Sequence, residues 1–544
     1  MRRRLPDILF WWFVIALVVP NVALSVTEPL GWWGRLANLL LPAGVELWLA
    51  SLSRKFGRTV WLMFPLVFFA AFQTVLLWLY GRSVIAVDMF LNVVTTNPGE
   101  VGELLGNLWP AIILVCVLYL PPLIFSVREQ ALGRLPGAGM LASARMAGVA
   151  MTLLGAVSLC GAYASERGYS ALKSLYPVNV CYNIYLAAER TALTARYPHS
   201  SADYTYDARY TRPDTLPQLT VLVIGETSRA ADWHLMGYGR PTNPRLSRRS
   251  GLFTSRHALS ESNTTHKSVP MLLSPVDATD FDTDIYKVKS LITAFREAGY
   301  ATAFLSSQLP NRSFIEFFGC EADTTLFIKM QPDYRSEPGD FPLLACVDSV
   351  LASASDRQLI VLHTYGSHFD YRDRYPRDDA RFLPDSYSEA TASERPALVN
   401  AYDNTIVATD RFLDTLIGRL AERGGVSSLI YTSDHGEDIF DDGRHFLHAS
   451  PVPSVMQVHV PLLVWLSDDF IHAYPAIGKA LTHNMSLPVS TSRSYCPTAL
   501  GLGGIESPRV DPEASLASPS YKPRTYPLYL NDHNEAVALK SMLQ

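Results

Sequence analysis

The stretch "YTSDHGEDIFDDGRHFLHASP" (431–451) sets five acidic side chains and three histidines behind the apolar run "SSLIYTS". Carboxylate and imidazole together form a ligand set for Zn²⁺, with Mn²⁺ the alternative ion. Asp434 and His435 stand where the apolar run stops, so a strand ending there delivers both at its tip. His445 and His448 return later in the same loop, as rivals for one role. The "EDIFDD" run reads as a solvated face. Glu226 closes a second apolar run, "LTVLVIGE" (219–226), and His368 follows a third, "QLIVLHTYG" (358–366). His363, inside that third run, reads as a core histidine. Phosphoryl transfer at such a site also needs a nucleophile, and a hydroxyl acidified by a cation serves. Thr227 and Ser228 flank Glu226, and "SESNTTHKSVPM" (260–271) adds Ser262, Thr264, Thr265 and Ser268. Spacing alone does not choose among them.

The elements that must position these residues alternate. To the three runs above are added "ATAFLSS" (301–307) and "VPLLVWLS" (460–467), with the fourth strand taken as "SSLIYTSDHG" (427–436). Nearly continuous apolar runs of this length are strands buried on both faces of a mostly parallel sheet. Helical spacing over 288–300 and 397–425 separates them, the second pattern stopping at Gly424 and Gly425. Strand–helix alternation predicts an α/β domain with helices on both faces of the sheet, over residues 215–544. Ligands of such sheets bind beyond the carboxyl ends of the strands. Three strands therefore bring Glu226, His368, Asp434 and His435 to one edge.

The first 165 of the 544 residues are different in kind. Uncharged runs at 8–25, 59–80, 108–127 and 146–163 are long enough to cross a bilayer. A fifth run, 36–52, carries Pro42 and Glu46 and is read as a span as well, giving a five-helix transmembrane domain over 1–165. Glu46 reads as a bundle-facing carboxylate with a polar neighbour. Arg2, Arg3, Arg4, Arg54, Lys55, Arg58, Arg128, Arg134 and Arg145 fall on one side of these runs, against Arg35 and Arg82 on the other. That bias puts the N-terminus in the cytoplasm and, after five crossings, the α/β domain outside. Residues 166–214 read as a linker. A formal charge of −5 gives no basic excess for nucleic acid. Of six cysteines, Cys116 and Cys160 fall in apolar spans. Cys181, Cys320, Cys346 and Cys496 fall in the exported part, where pairing is expected, Cys320 with Cys346 first.

Taken together, "VLVIGETSRAADWHLMGYGRPTNPRL" (221–246), "TTHKSVPMLLS" (264–274), "GSHFDYRDRYP" (366–376) and "SDHGEDIFDDGRHFLHASP" (433–451) resemble, in order, the motifs of the bacterial phosphoethanolamine transferases. "MFLNVVTTNPGEVGELL" (89–105) is similar to the stretch those enzymes hold between their third and fourth spans. The resemblance implies an alkaline-phosphatase-like fold in the sulfatase superfamily, held in the inner membrane with its catalytic domain in the periplasm. It implies zinc held by Glu226, Thr265, Asp434 and His435, with Thr265 the nucleophile. His368 and His448 match histidines that contact phosphate or a second zinc, while His445 has no counterpart. Asn92, Thr96 and Glu100 match residues that hold the donor lipid. The implied donor is phosphatidylethanolamine, the acceptor an envelope glycolipid, and the working form a monomer. A phosphoglycerol transferase or a sulfatase-like phosphohydrolase is the alternative within the superfamily. The chain departs from the family's lipid A enzymes at Phe369–Asp370, where they read SHGP, and at Met271, where they have cysteine. The acceptor therefore stays open between lipid A phosphate and the lipopolysaccharide core.

Overall fold

The computed structural model describes residues 4–95, 109–213, 216–332, 337–353 and 355–543, without the side chains of 92–95. Two compact units divide between Glu189 and Arg190.

In the first unit, α1 (Leu5–Thr27), α2 (Trp32–Ala50), α3 (Phe56–Leu62), α4 (Phe64–Tyr80), α5 (Val87–Thr95), α6 (Trp109–Ala131) and α7 (Ala138–Ser165) follow in order. Among the described residues, α1, α6 and α7 are long and apolar enough to cross a membrane, and α3 with α4, bent by 61°, makes a fourth candidate. The expected count of five is thereby corrected to three or four. The run read as a second span does form α2, but Arg35, Asn38 and Glu46 dilute its apolarity. Glu46 is nonetheless buried. α2 packs closely on α7: a side chain added at Gly44 would meet the Thr152 backbone nitrogen at 2.5 Å. Backbones approach this closely in helix pairs lined by small residues. Trp32, Leu153 and Val157 point outward with more than 60% of their surface exposed, as lipid-facing side chains do. Asn92's side chain, Thr96 and Glu100 lie outside the described residues. Within the stretch expected as a linker, α8 (Val178–Ser200) is a continuous helix.

The second unit is built on a seven-stranded sheet. Its strands are β1 (Gln218–Gly225), β2 (Leu252–Ser255), β3 (Ala301–Ser306), β4 (Thr324–Phe327), β5 (Arg357–His363), β6 (Val426–Ser433) and β7 (Leu462–Leu466). The spatial order is β2-β7-β6-β1-β5-β3-β4. β6, β1, β5, β3 and β4 run parallel. β7 is antiparallel to both β6 and β2, so the sheet is mixed. Every residue of β1 and of β6 is buried, as two-sided cover requires. On one face Leu222, Ile224 and Ile430 pack with α9 (Thr265–Leu273). On the other, Val221, Val223 and Leu429 pack with α10 (Arg395–Arg423). α10 ends at Gly424 and Gly425, both at positive φ, where a Cβ would be strained.

The cysteines stand free. Cys320 follows the helix Phe314–Gly319, which packs on the α9 face, whereas Cys346 lies against the α10 face. The sheet separates the expected pair.

Candidate functional site

β1 and β6 are neighbours at the middle of the sheet, with Gly225 paired to Ser433, so the residues that follow each strand emerge side by side. Glu226 follows β1, and Asp434 and His435 follow β6. Their donor atoms lie within 4.8 Å of one another, and all three residues are buried. His435 Nε2 stands 3.4 Å from Glu226 Oε1 and 3.4 Å from Asp434 Oδ2. Thr265, the first residue of α9, puts Oγ1 3.2 Å from Glu226 Oε1 and 3.1 Å from His435 Nε2. Among the hydroxyls left open by the sequence, Thr265 is the one that meets both a carboxylate and the imidazole of this cluster among the described contacts. Thr227 Oγ1 donates to Glu226 Oε1 over 2.8 Å, and Ser268 Oγ donates to Asp434 Oδ2 over 3.1 Å.

Local backbone aims these groups. Thr227 adopts φ +59°, a left-handed turn directly after Glu226. The turn is braced: Thr227 N–H donates to Asp434 Oδ1, and the Tyr402 hydroxyl donates to the Thr227 carbonyl. Such strain persists only where the surroundings over-determine it. Gly366, at φ +53°, lies so close that an added Cβ would meet the Glu226 carbonyl at 2.5 Å. His435 Nδ1 lies 2.9 Å from the Gly436 carbonyl oxygen. That contact places a proton on Nδ1 and turns Nε2 toward the two carboxylates. Burial raises the Asp434 pKa against its hydrogen bonds. Burial also opposes charge on His435, yet Asp434 and Glu226 outweigh it and hold this pKa above the usual imidazole range. Two carboxylates and an imidazole Nε2 that would give up its proton to a cation, converging without solvent, are a donor set for a divalent cation. A hydroxyl at the same point completes four donors of the kind zinc takes.

His368 and His448 flank the cluster. The ring of His448 lies 4.3 Å from that of His435, tilted by 38°, and His368 lies 5.8 Å from His448. Desolvation lowers both pKa values to about 3, so both are neutral at pH 7. His445 is held elsewhere, by Asp442 on the exposed loop. His363 is buried in β5, and burial lowers its pKa to about 4.

The acidic run is a solvated face only at Asp441 and Asp442; Glu437 and Asp438 turn inward. Glu437 is fully buried, takes the Tyr371 hydroxyl at 3.0 Å, and faces His448 Nδ1 at 3.4 Å. Asp438 is buried and accepts from Ser454 and Gln457. Asp441 pairs with Arg229 at 2.5 Å and with Arg395 at 2.8 Å. The run reads as polar in sequence because its partners come from distant segments. Gln308, which donates to Glu226 Oε2 over 3.2 Å, carries no signal in the sequence beyond following β3.

This is the site of an alkaline-phosphatase-type α/β domain. The sulfatase family model matches residues 218–505, and the chain belongs to that family. It is similar to phosphoethanolamine transferase EptA of Salmonella typhimurium, 30% identical over 304 residues, covering 53% of this chain and 54% of that protein. The chain thus spans about half the length of such curated relatives in these matches. Among solved structures, the integral membrane lipooligosaccharide phosphoethanolamine transferase A of Neisseria meningitidis has the same fold. Its TM-score is 0.70 at 22% identity, over 93% of this chain and 98% of that one. The zinc complex of the periplasmic domain of EptC from Escherichia coli matches at TM-score 0.55 and 22% identity, over 62% of this chain and 96% of that one.

Proposed function

We propose that this protein moves phosphoethanolamine from phosphatidylethanolamine to an envelope glycolipid through a covalent intermediate on Thr265. The observation that carries the reading is the Thr265 hydroxyl, set at 3.1–3.2 Å from His435 and Glu226. Relatives named for phosphoethanolamine transfer support the substrate class.

Glu226, Thr265, Asp434 and His435 would hold zinc, which when bound lowers the hydroxyl pKa and offsets charge on the transferring phosphoryl group. Thr265 Oγ attacks phosphorus while the phosphorus–oxygen bond to diacylglycerol breaks. The threonine proton passes to Glu226 Oε1, which already accepts its hydrogen bond, and from there to the departing diacylglycerol oxygen, which leaves as the alcohol. An acceptor oxygen then attacks, the phosphorus–Oγ bond breaks, and Thr265 recovers the proton that the acceptor gives up. His368 and His448, both neutral, contact the non-bridging oxygens. Burial pushes Glu437 well above the usual carboxylate range. A protonated Glu437 donating to His448 Nδ1 puts the ring proton of neutral His448 on Nε2.

Asn92, Thr96 and Glu100 would hold the donor lipid. The basic loops place the N-terminus in the cytoplasm and the α/β unit in the periplasm of an inner membrane. One chain supplies the whole cluster, which fits a monomer.

The test uses the full chain in vesicles containing either phosphatidylethanolamine or phosphatidylglycerol, each with a lipid A acceptor. The expected result is acceptor gaining phosphoethanolamine, diacylglycerol release, and a mass adduct on Thr265. Turnover with phosphatidylglycerol alone would favour the phosphoglycerol transferase, and plain hydrolysis would favour the phosphohydrolase.

A further inference from the structure

Thr265 and His448 sit on segments nearly two hundred residues apart, yet the chemistry needs them on one phosphoryl group. Asn263, two residues before Thr265, joins those segments. Its Nδ2 donates to the Ser450 carbonyl over 2.9 Å and to Gln457 Oε1 over 2.6 Å. Its own carbonyl accepts from the Ala449 N–H at 3.2 Å. Ala449 and Ser450 are the two residues directly after His448. Leu447 and Ala449, either side of His448, both adopt positive φ, so this loop is bent sharply and needs external support. The remaining hydrogen-bonding atom of Asn263, Oδ1, accepts from the Tyr529 hydroxyl over 2.6 Å. Asn263, Gln457 and Tyr529 are all at most 3% exposed.

Tyr529 belongs to the short strand Leu528–Leu530, beyond residue 505, where the family match ends. This C-terminal segment grips the nucleophile loop at further points. The Leu530 N–H donates to the Glu261 carbonyl over 2.7 Å, and Lys267 Nζ donates to the Asn531 carbonyl over 2.8 Å. Arg524 pairs with the buried Glu261 carboxylate at 3.3 Å. Four contacts thus lie on both sides of Thr265 in sequence.

We propose that Asn263, locked by Tyr529, is a positioning residue that sets the nucleophile Thr265 against the loop carrying His448, and that residues 524–531 are the strap that holds it. An amide saturated on both atoms cannot rotate, so the two loops share one register. Removing the tyrosine hydroxyl leaves a buried Asn263 oxygen without its donor and lets the amide turn. A displacement of about 1 Å between reacting groups suffices to slow a transfer step by about 100-fold. This inference rests on the reading above for its chemistry but not for its geometry.

The experiment compares wild-type full-length protein with Tyr529→Phe and Asn263→Ala by two measurements. Hydrogen exchange should show faster exchange in both 260–268 and 445–452 in each variant, with Tm lowered by only a few degrees in Tyr529→Phe. Donor kinetics should show kcat lower by about 10-fold in Tyr529→Phe and about 100-fold in Asn263→Ala, at unchanged KM. If Asn263→Ala fails to fold, Tyr529→Phe alone decides. Exchange changes confined to 520–535, or looser loops with an unaltered kcat, would overturn the proposal. If the wild-type protein transfers nothing from phosphatidylethanolamine, the functional reading falls, and the exchange result still decides whether Asn263 couples the loops.

Discussion

The Thr265 hydroxyl faces a carboxylate and an imidazole at once, and that placement makes its loss specific. Thr265→Ala should lower transfer by roughly 10⁴-fold or more, the scale seen when a nucleophile is deleted, with the fold intact by circular dichroism. His435→Ala and Asp434→Ala should lose bound zinc as well, because each removes one of a few donors; metal analysis of purified protein checks this. The two histidines of the return loop separate by contact. His448 packs its ring against His435, whereas His445 holds Asp442 at the surface. His448→Ala should lower turnover by about 10–100-fold with zinc retained. His445→Ala should stay within about twofold of the wild-type rate.

Among the elements, the loops after β1 and β6 are tied by Arg229. Its guanidinium is buried and pairs with Asp232 and Asp441, while its Nη1 also donates to the Glu437 carbonyl over 3.2 Å. Arg229→Met would strand the buried Asp232 carboxylate and should cost about 3–5 kcal/mol, read from denaturant unfolding. β5 carries a second consequence. His363 is neutral in the fold because burial lowers its pKa to about 4, against 6.5 in an unfolded chain. The unfolded state therefore binds the extra proton between those values. The stability His363 supports is complete above pH 6.5 and is lost as pH falls toward 4, by about 3 kcal/mol in all. Unfolding midpoints measured across that window should fall less steeply in His363→Phe than in wild type.

For the whole molecule, the division at Glu189 and Arg190 separates a lipid-facing unit from the unit that holds every donor of the cluster. A fragment of residues 178–544 should fold and bind zinc, with turnover of phosphatidylethanolamine in vesicles lowered by about 100-fold or more, because the donor is no longer delivered at high effective concentration. Its turnover of a soluble phosphodiester should match the full chain. Equal rates on vesicles would remove the membrane unit from the mechanism.

Sequence alone determined the long buried strands, since an uninterrupted apolar run such as "LTVLVIG" has few other uses. With strand direction, it also determined which edge would collect Glu226, Asp434 and His435. Two short edge strands, Leu252–Ser255 and Thr324–Phe327, left no pattern, because four residues show no period. The apolar count in α2 misled on spans, since charge and helix length pull in opposite directions there. Whether Cys320 and Cys346 could meet was decided by the sheet between them. Motif resemblance pointed to Thr265 among six hydroxyls, but only the tertiary structure puts its Oγ1 beside both Glu226 and His435 and draws Glu437 and Asp438 inward. Hydrogen-bond partners from distant segments set burial of a polar residue, and local composition carries no record of those partners.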